Sequence, residues 1–552
     1  MGRLGRFFKE AFSVERLIGL GFLAVLVAVL MSNPDIIQLL RLKTFDYFQV
    51  LKPRTVTPAA EQPVKIIDID EKSLQAIGQW PWSRSTIATM VKNLQDIGAT
   101  IVAFDIVFAE PDRTNPSDIA KTVPGLDEET KTKLMKLPSN DEIFAEIIKR
   151  PCPAYGKTRK DARCVIMGQT HHDEATEDKN AQAIHKSIVT RAPRGMQNPD
   201  IKRFVPKVDH LTRNIPLLEQ ASVGQGFFSL DAELDGIVRR IPVLYTYKDE
   251  LFTALSVEML RVLFGLRSIA GFITPLGMEK LAVSPKFVMP TDARGRVWPY
   301  FSKHDQAKYI SAVDVINMRS LPKEEQVKLI KNVRGRMMIV GTSAVGLKDI
   351  RATPIDNRIP GVEVHAQVIE AAARGLYLSR PGYMHGGEVT ILFIVGILMI
   401  WLVPKVGAKW TLLLFAVMAG GSVGGSWYLF TEHRVLFDPL YGTVSVFLLY
   451  SLLTYTGYAK EEAQRQQTRA AFSKYLSPDM VAKVAADPDS LKLGGEQREL
   501  TLLFSDVRGF TTISEQFTPE GLTDLINKLL TPLTNVILSN QGTVDKYMGD
   551  AV

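Results

Sequence analysis

The chain has 552 residues, 46% of them hydrophobic, and its 66 lysines and arginines against 59 aspartates and glutamates give a formal net charge of +7. Such a length implies several domains. The small basic excess, with no arginine-rich arm, zinc-finger spacing or RNP-like run, excludes a nucleic-acid binder.

Taken in chain order, residues 1–16 carry Arg3, Arg6, Lys9 and Arg16 ahead of an apolar run at 17–33. No small-residue cleavage site succeeds that run, so it reads as an uncleaved membrane anchor and not as a signal peptide. Residues 34–385 then supply about 350 residues of α/β pattern. Residues 64–70 predict an apolar strand. Ser83 is placed to cap a helix with Ile87, Met90, Val91, Leu94 and Ile97 on one face, closed by Gly98, and 101–108 predict a second strand. A strand, helix and strand in that order favour parallel pairing. Residues 165–168 and 337–341 read as further buried strands, and His365 falls on a helix after Pro360 and Gly361. The polar stretches 112–163 and 170–206 read as insertions or loops.

Several side chains in this region carry alternative readings. Asp68, Asp70, Asp105 and Asp112 follow or end strands, where α/β sheets place ligand crevices, but the favoured reading is solvated carboxylates or helix and turn caps. His171, His172, Asp173 and Glu174 have metal-ligand chemistry but no second partner stretch, which favours a solvated cluster. Trp80, Pro81 and Trp82 read as turn packing. The two cysteines, Cys152 and Cys164, are 12 residues apart. In an oxidising compartment they allow a disulfide worth roughly 3 kcal/mol, with free thiols as the alternative.

Three more apolar runs occur at 386–403, 410–430 and 437–458. With the run at 17–33 they make four spans; the first two are near the roughly 17-residue lower limit and need flanking residues. Lysines and arginines cluster before the first span, at Lys405 and Lys409 between the second and third, and at Lys460, Arg465, Arg469 and Lys474 after the fourth. All three places lie on one side, which makes the N-terminus and the C-terminal part cytoplasmic and puts 34–385 and the loop 431–434 outside. Residues 459–494 form a charged connector. Ala459, Ala463, Gln466 and Ala470 repeat at four-three spacing for barely two heptads, too few for a stable coiled coil. Two nearly equal registers would suit a signalling helix pair. Pro478 and the turn at 491–499 separate this connector from the C-terminal segment.

That segment, 495–552, carries the chemistry. LLFSDVRGFTTISE (502–515) and GTVDKYMGDAV (542–552) put Asp506 and Asp550 at the ends of two strand-like runs, 44 residues apart. Between them Thr518 and Pro519 open a helix, Leu522, Leu525, Ile526, Leu529, Leu533, Val536 and Ile537 repeat at helical spacing, and Gly542 stops it. Two carboxylates at one sheet edge suit a pair of magnesium ions.

These residues resemble the catalytic domain of the class III nucleotide cyclases, a ferredoxin-like (palm-like) α+β fold. The resemblance implies that Asp506 and Asp550 are catalytic. It implies that, with Val507, they hold two magnesium or manganese ions, and that amides of the turn Val507, Arg508, Gly509, Phe510 and Thr511 receive phosphates. Lys546 falls where adenine-selecting lysines stand and would serve the partner's site in a homodimer. The chain ends at Val552, where the return strand of the second hairpin would begin. The second base-selecting residue and the transition-state asparagine and arginine are therefore expected beyond it, and the polypeptide as it stands is expected to be inactive.

Residues 34–385 are similar to the second type of the CHASE family of extracytoplasmic sensors. KIIDIDEKSL (65–74), GQWPWSR (78–84), FDIVFAEPD (104–112), DGIVRRIP (235–242), IVGTSAVGLKD (339–349) and TPIDNRIPGVEVHA (353–366) carry the likeness. That family places one span before the sensor and three after. Together these resemblances imply a multi-domain bacterial inner-membrane receptor with an α/β periplasmic sensor of unidentified ligand, four transmembrane helices and a partial cyclase domain acting on ATP. A guanylate cyclase and a catalytically silent scaffold are the alternatives. A sensor kinase would need a phosphoacceptor histidine after the last span, and none occurs beyond His433.

Overall fold

The computed structural model describes residues 13–151, 164–172, 187–191, 200–344, 347, 349–406, 408–472, 497 and 499–552. Two compact units share the chain: one gathers 23–396 and 413–447, the other the described residues of 1–22, 397–412 and 448–552.

In the larger unit a seven-stranded sheet forms the centre. Its strands are β1 (Val64–Ile69), β2 (Ile101–Phe104), β3 (Val165–His172), β4 (His210–Thr212), β5 (Gly224–Phe227), β6 (Tyr309–Ser311) and β7 (Met337–Thr342). The order runs β6, β1, β7, β2, β3, β4, with β5 also on β3. All pairings are parallel except β3 with β4. β1 and β2 are each buried at every position, the continuous apolar run expected of parallel strands covered on both faces. One face packs Ile87, Val91 and Leu94 of α1 (Arg84–Asp96) with Phe144 and Ile148 of α2 (Asn140–Lys149). The other packs Val257 and Leu260 of α3 (Leu255–Leu263) with Val362, Ile369 and their neighbours in α4 (Gly361–Arg374).

β1, α1 with its Ser83 cap, and β2 form as the sequence predicts, but β7 lies between the two strands. Its uniformly apolar residues, buried through Gly341, belong at a doubly covered centre. β2 is also shorter than 101–108: beyond Asp105 the chain leaves the sheet, and the Phe108 amide donates to Asn214 Oδ1 at 2.8 Å.

The stretch 112–163 is not irregular where described. It holds three helices, Pro116–Thr122, Glu128–Met135 and α2. Caps support two of them: the Asp127 side chain accepts from the Thr130 amide of a helix that buries nothing, and Ser139 with Glu142 forms a capping box at the start of α2. Within 170–206 the described residues hold the end of β3, a strand at Ser187–Arg191 and a 3₁₀ turn at Ile201–Arg203; that strand joins a second, four-stranded sheet.

Among the described residues, four helices are long and apolar enough to cross a membrane: Val14–Ser32, Met384–Val406, Trp410–His433 and Leu440–Thr468. The first two gain flanking residues as expected. The helix of the third extends through the loop assigned to 431–434, closing in a π turn at Leu429–His433, with Arg434 left-handed at φ 56°. The helix of the fourth runs on to Phe472 without a break, so the connector is helical there; Pro478 lies outside the described residues.

Unforeseen in the sequence is a further helix, Asp35–Leu51, that begins directly after Asn33 and Pro34 end the first span. Phe45 and Phe48 seat it against Trp298, Tyr300 and Leu378. Two of its ion pairs are buried, Asp46 with Arg239 at 2.7 Å and Arg41 with Asp438 at 3.0 Å, while Lys43, half exposed, meets Asp235 at 2.6 Å. Just beyond its end, Arg54 meets Glu370 at 2.9 Å, with both side chains fully covered.

Candidate functional site

In the C-terminal segment the predicted helix forms at Pro519–Ser539, with the Thr518 hydroxyl accepting from the Gly521 amide. The Gly542 amide donates to Ile537 O at 2.9 Å to close it. The strand-like run 502–504 forms no named strand among the described residues, and Leu502, Leu503 and Phe504 are exposed. Ser505 and Val552 exchange both backbone hydrogen bonds at 2.9 Å. A single such pair covers little apolar surface.

The two predicted motifs nevertheless meet. Gly549, left-handed at φ 68°, makes a tight turn in which Met548 and Ala551 bond each other. That turn aims Asp550, and the Val507 amide donates to its Oδ2 at 3.3 Å. Asp506 is thereby the residue adjacent to the contact. Gly509, at φ 79°, lets the chain after Val507 turn into the short helix Phe510–Ser514, which carries Thr511. Lys546 is exposed, 4.0 Å from Asp545. Carboxylate oxygens of Asp506 and Asp550 and the Val507 carbonyl are hard donors of the kind magnesium or manganese takes, so the residues present fit such ions. No cluster of three or more His, Cys, Asp or Glu that could hold a metal occurs among the described residues.

On the larger unit, the C-terminal edge of the sheet collects the predicted carboxylates with different partners. Asp70 caps the helix Glu71–Ile77, accepting from the Ser73 amide at 2.8 Å. Asp112 accepts from the amides of Arg84 (2.6 Å) and Thr114 (2.8 Å). Burial alone would raise its pKa, but those bonds prevail and hold it below the usual carboxylate range. Both are caps. Asp68 accepts from Ser343 N at 2.9 Å and Oγ at 2.6 Å. Asp105 ends β2 under full cover; burial, then the nearby charge of Asp349, pushes its carboxyl well above the usual range.

His171 Nε2 lies 3.1 Å from Asp231 Oδ1, and His172 pairs with His210 across β3 and β4; Asp173 and Glu174 lie outside the described residues. Trp80 and Trp82 stack edge to face at 5.4 Å, and Trp82 Nε1 donates to Gly78 O. Cys164 is buried and disulfide-bonded; Cys152 lies outside the described residues.

Comparison with known proteins gives one long match: the CHASE2 domain, over residues 22–403. The chain belongs to the CHASE2 domain family. Shorter likenesses join uncharacterized proteins of Mycobacterium tuberculosis and Mycobacterium bovis, each 30% identical over 88 residues, 16% of this chain and 16% of each relative. An adenylate cyclase of Anabaena cylindrica is 28% identical over 89 residues, 16% of this chain and 18% of that protein. The chain thus covers less than a fifth of the length of these relatives. No solved structure matches it.

CHASE2 is a sensor domain, and here four apolar helices accompany it. Sequence reasoning missed Ser343, Asp349 and Arg351 at its sheet edge, which only the fold brings beside Asp68 and Asp105. For Asp68, burial outweighs the Ser343 bonds and, with the charge of Asp70, pushes the pKa from 3.8 up to about 6. A carboxyl raised on folding contributes stability that is complete below the unfolded value and lost as pH climbs through the folded one, here roughly 3 kcal/mol. Asp68→Asn removes that titration. Melting temperatures of the parent should therefore fall relative to the variant between pH 4 and 6 and run parallel above it; parallel curves throughout would contradict the assignment.

Proposed function

We propose that this protein is a receptor-type adenylate cyclase of a bacterial inner membrane, converting ATP to cyclic AMP and pyrophosphate under control of its periplasmic CHASE2 domain. The observation that carries this reading is the approach of Asp550 Oδ2 to the Val507 amide, because it joins two motifs far apart in sequence around one acidic pair. The cyclase named among the relatives supports it, and so does the distribution of lysine and arginine about the four spans.

Asp506 and Asp550 hold the carboxylate pair, with the Val507 carbonyl as third donor. When bound, magnesium or manganese supplies Lewis acidity at the ribose 3′-hydroxyl and the α-phosphate. Amides of the turn after Val507, at Arg508, Gly509 and Thr511, orient the phosphates on a turn that Gly509 alone lets form without a Cβ penalty. Lys546 of a second copy reads the adenine, so the working unit is a homodimer. Signalling then consists of shifting that dimer between packings that align or separate the two half-sites.

Competition on the full-length protein tests the base. With ATP and GTP at equal concentration and magnesium present, cyclic AMP is the main product. Cyclic GMP in excess indicates the guanylate reading, and no cyclic product from either nucleotide indicates a silent receptor.

A further inference from the structure

The apolar helices leave between them a cavity of about 340 Å³. That lies within the range of about 300–1,000 Å³ that ligand pockets occupy. Its lining falls wholly within the larger unit and comes from all four spans: Leu30 at the end of the first, Leu392 in the second, Phe415 and Met418 in the third, and Val446 in the fourth.

Three glycines make the space. Gly421 and Gly425 of the third span and Gly442 of the fourth line the cavity, and a Cβ at any of them would meet no atom within 4 Å. Glycine between membrane helices commonly lets two elements pack closely, as Gly396 does against Leu23. At these three positions no neighbour approaches, so the absent side chains leave volume instead of contact. Gly421 and Gly425 are exposed, so the cavity is open along the third span.

Among the described residues only two charged side chains line it, Glu388 and Asp438, and both are held by the protein. Glu388 accepts from Arg380 Nη1 at 2.9 Å and Nη2 at 2.8 Å, and from the Asp438 amide at 2.8 Å. Asp438 Oδ2 accepts from Arg41 Nε at 3.0 Å. Ser426 and Tyr441 donate their hydroxyl hydrogens to backbone carbonyls, while the Thr443 hydroxyl has no partner. An occupant therefore meets no unpaired charge, and most of the wall is hydrocarbon.

The surroundings of a spanning helix select what fills such a space. Atoms that face a void lose their dispersion contacts on that side, an apolar cavity stays dry, and the solvent of a membrane-spanning helix is acyl chain. Walls drawn from four helices suit a flexible chain better than a rigid helix about 10–12 Å across.

We propose that this cavity is a lipid site, taking one acyl chain of a bilayer phospholipid through its open side along the third span. Arg41 with Asp438 and Arg380 with Glu388 fasten the CHASE2 fold to the spans at its polar end, so the lipid sits at the joint between sensor and membrane. The proposal rests on the membrane placement of the four helices and is independent of the cyclase reading, so its test reads lipid contact and not cyclic nucleotide.

The full-length protein is reconstituted in phosphatidylcholine nanodiscs in which a small share of the lipid carries a diazirine at the end of one acyl chain. After irradiation, mass spectrometry identifies the labelled residues. Phe415, Met418 and Val446 at the wall are expected to be labelled more heavily than Phe393, Ile394 and Val417, which are exposed on the outside of the spans. Gly421→Leu combined with Gly425→Leu fills the space. It should lower labelling of the wall by about tenfold or more, the factor that 1.4 kcal/mol of lost interaction represents, and leave the outward residues unchanged. That variant should melt at or above the parent, because leucine is the better helix former and occupies a void. Wall labelling no heavier than outward labelling in the parent, or unaffected by the substitutions, overturns the proposal. So does a variant that melts well below the parent or fails to fold, since the protein itself then needs the space. Labelling of the wall by a diazirine fatty acid and not by the phospholipid also overturns it and assigns the cavity to a free amphiphile.

Discussion

Asp506→Asn in the full-length protein is expected to lower magnesium-dependent cyclic AMP formation by at least about 100-fold, since even outer-shell partners of catalytic metals act on a scale of 10–100. The substitution keeps size and hydrogen-bonding capacity but removes the charge that a hard divalent cation requires. Asp550→Asn should do the same. The double substitution should be little worse than either single one, because groups that act as a unit are not additive. Neither residue lies in an apolar span, so membrane insertion should be unchanged, and quantitative immunodetection in the membrane fraction controls for it. Activity within a few-fold of the parent would contradict the roles of these aspartates.

The second large effect is on stability. Arg239 is wholly buried, donating through Nε and Nη2 to both oxygens of Asp46 at 2.8 and 2.7 Å and through Nη1 and Nη2 to both oxygens of Asp235 at 2.7 and 2.6 Å. Those bonds hold the Asp235 carboxyl well below the usual range, Arg239 being the first cause. Arg239→Met leaves two carboxylates in a place built for a cation. Removing one member of a buried ion pair costs about 3–5 kcal/mol, and the expected result is a sharp drop in the melting temperature of the larger unit. Asp46→Asn and Asp235→Asn, added to Arg239→Met, should restore part of the loss because the uncompensated charge is gone. A single substitution with an unchanged melting curve would show that the pair contributes nothing. Asp46 stands on the helix that follows the first apolar helix after Asn33 and Pro34, so this contact also fastens that helix to the CHASE2 fold.

Much of this architecture can be read in the sequence where one physical signal dominates. Runs buried on both faces, such as Ile101–Phe104 and Met337–Thr342, announce strands by apolarity alone. Ser83 and Thr518 mark helix starts because an extended residue with a short hydroxyl satisfies a free amide. Glu128–Met135 escaped because it buries no residue and so shows no apolar stripe; its support is a cap and surface pairs. Strand order escaped because the chain supplies β7 last while the sheet places it at the centre. The same holds for sites. The meeting of the segments that carry Asp506 and Asp550 was legible because a glycine turn follows Val507 and another precedes Asp550. The sheet-edge contact of Asp68 with Ser343 was not, because only the pairing of β1 with β7 brings the two together.

The central claim is that Asp506 and Asp550 share a pair of divalent ions. Electron paramagnetic resonance of the full-length protein with Mn2+ and a non-cyclisable ATP analogue tests it most directly, since two ions bridged in one site stand about 3.5–4 Å apart and couple their spins. The predicted spectrum is that of a coupled manganese pair, lost in both Asp506→Asn and Asp550→Asn. Isolated, uncoupled Mn2+ in the parent, or a coupled pair that survives both substitutions, would contradict it.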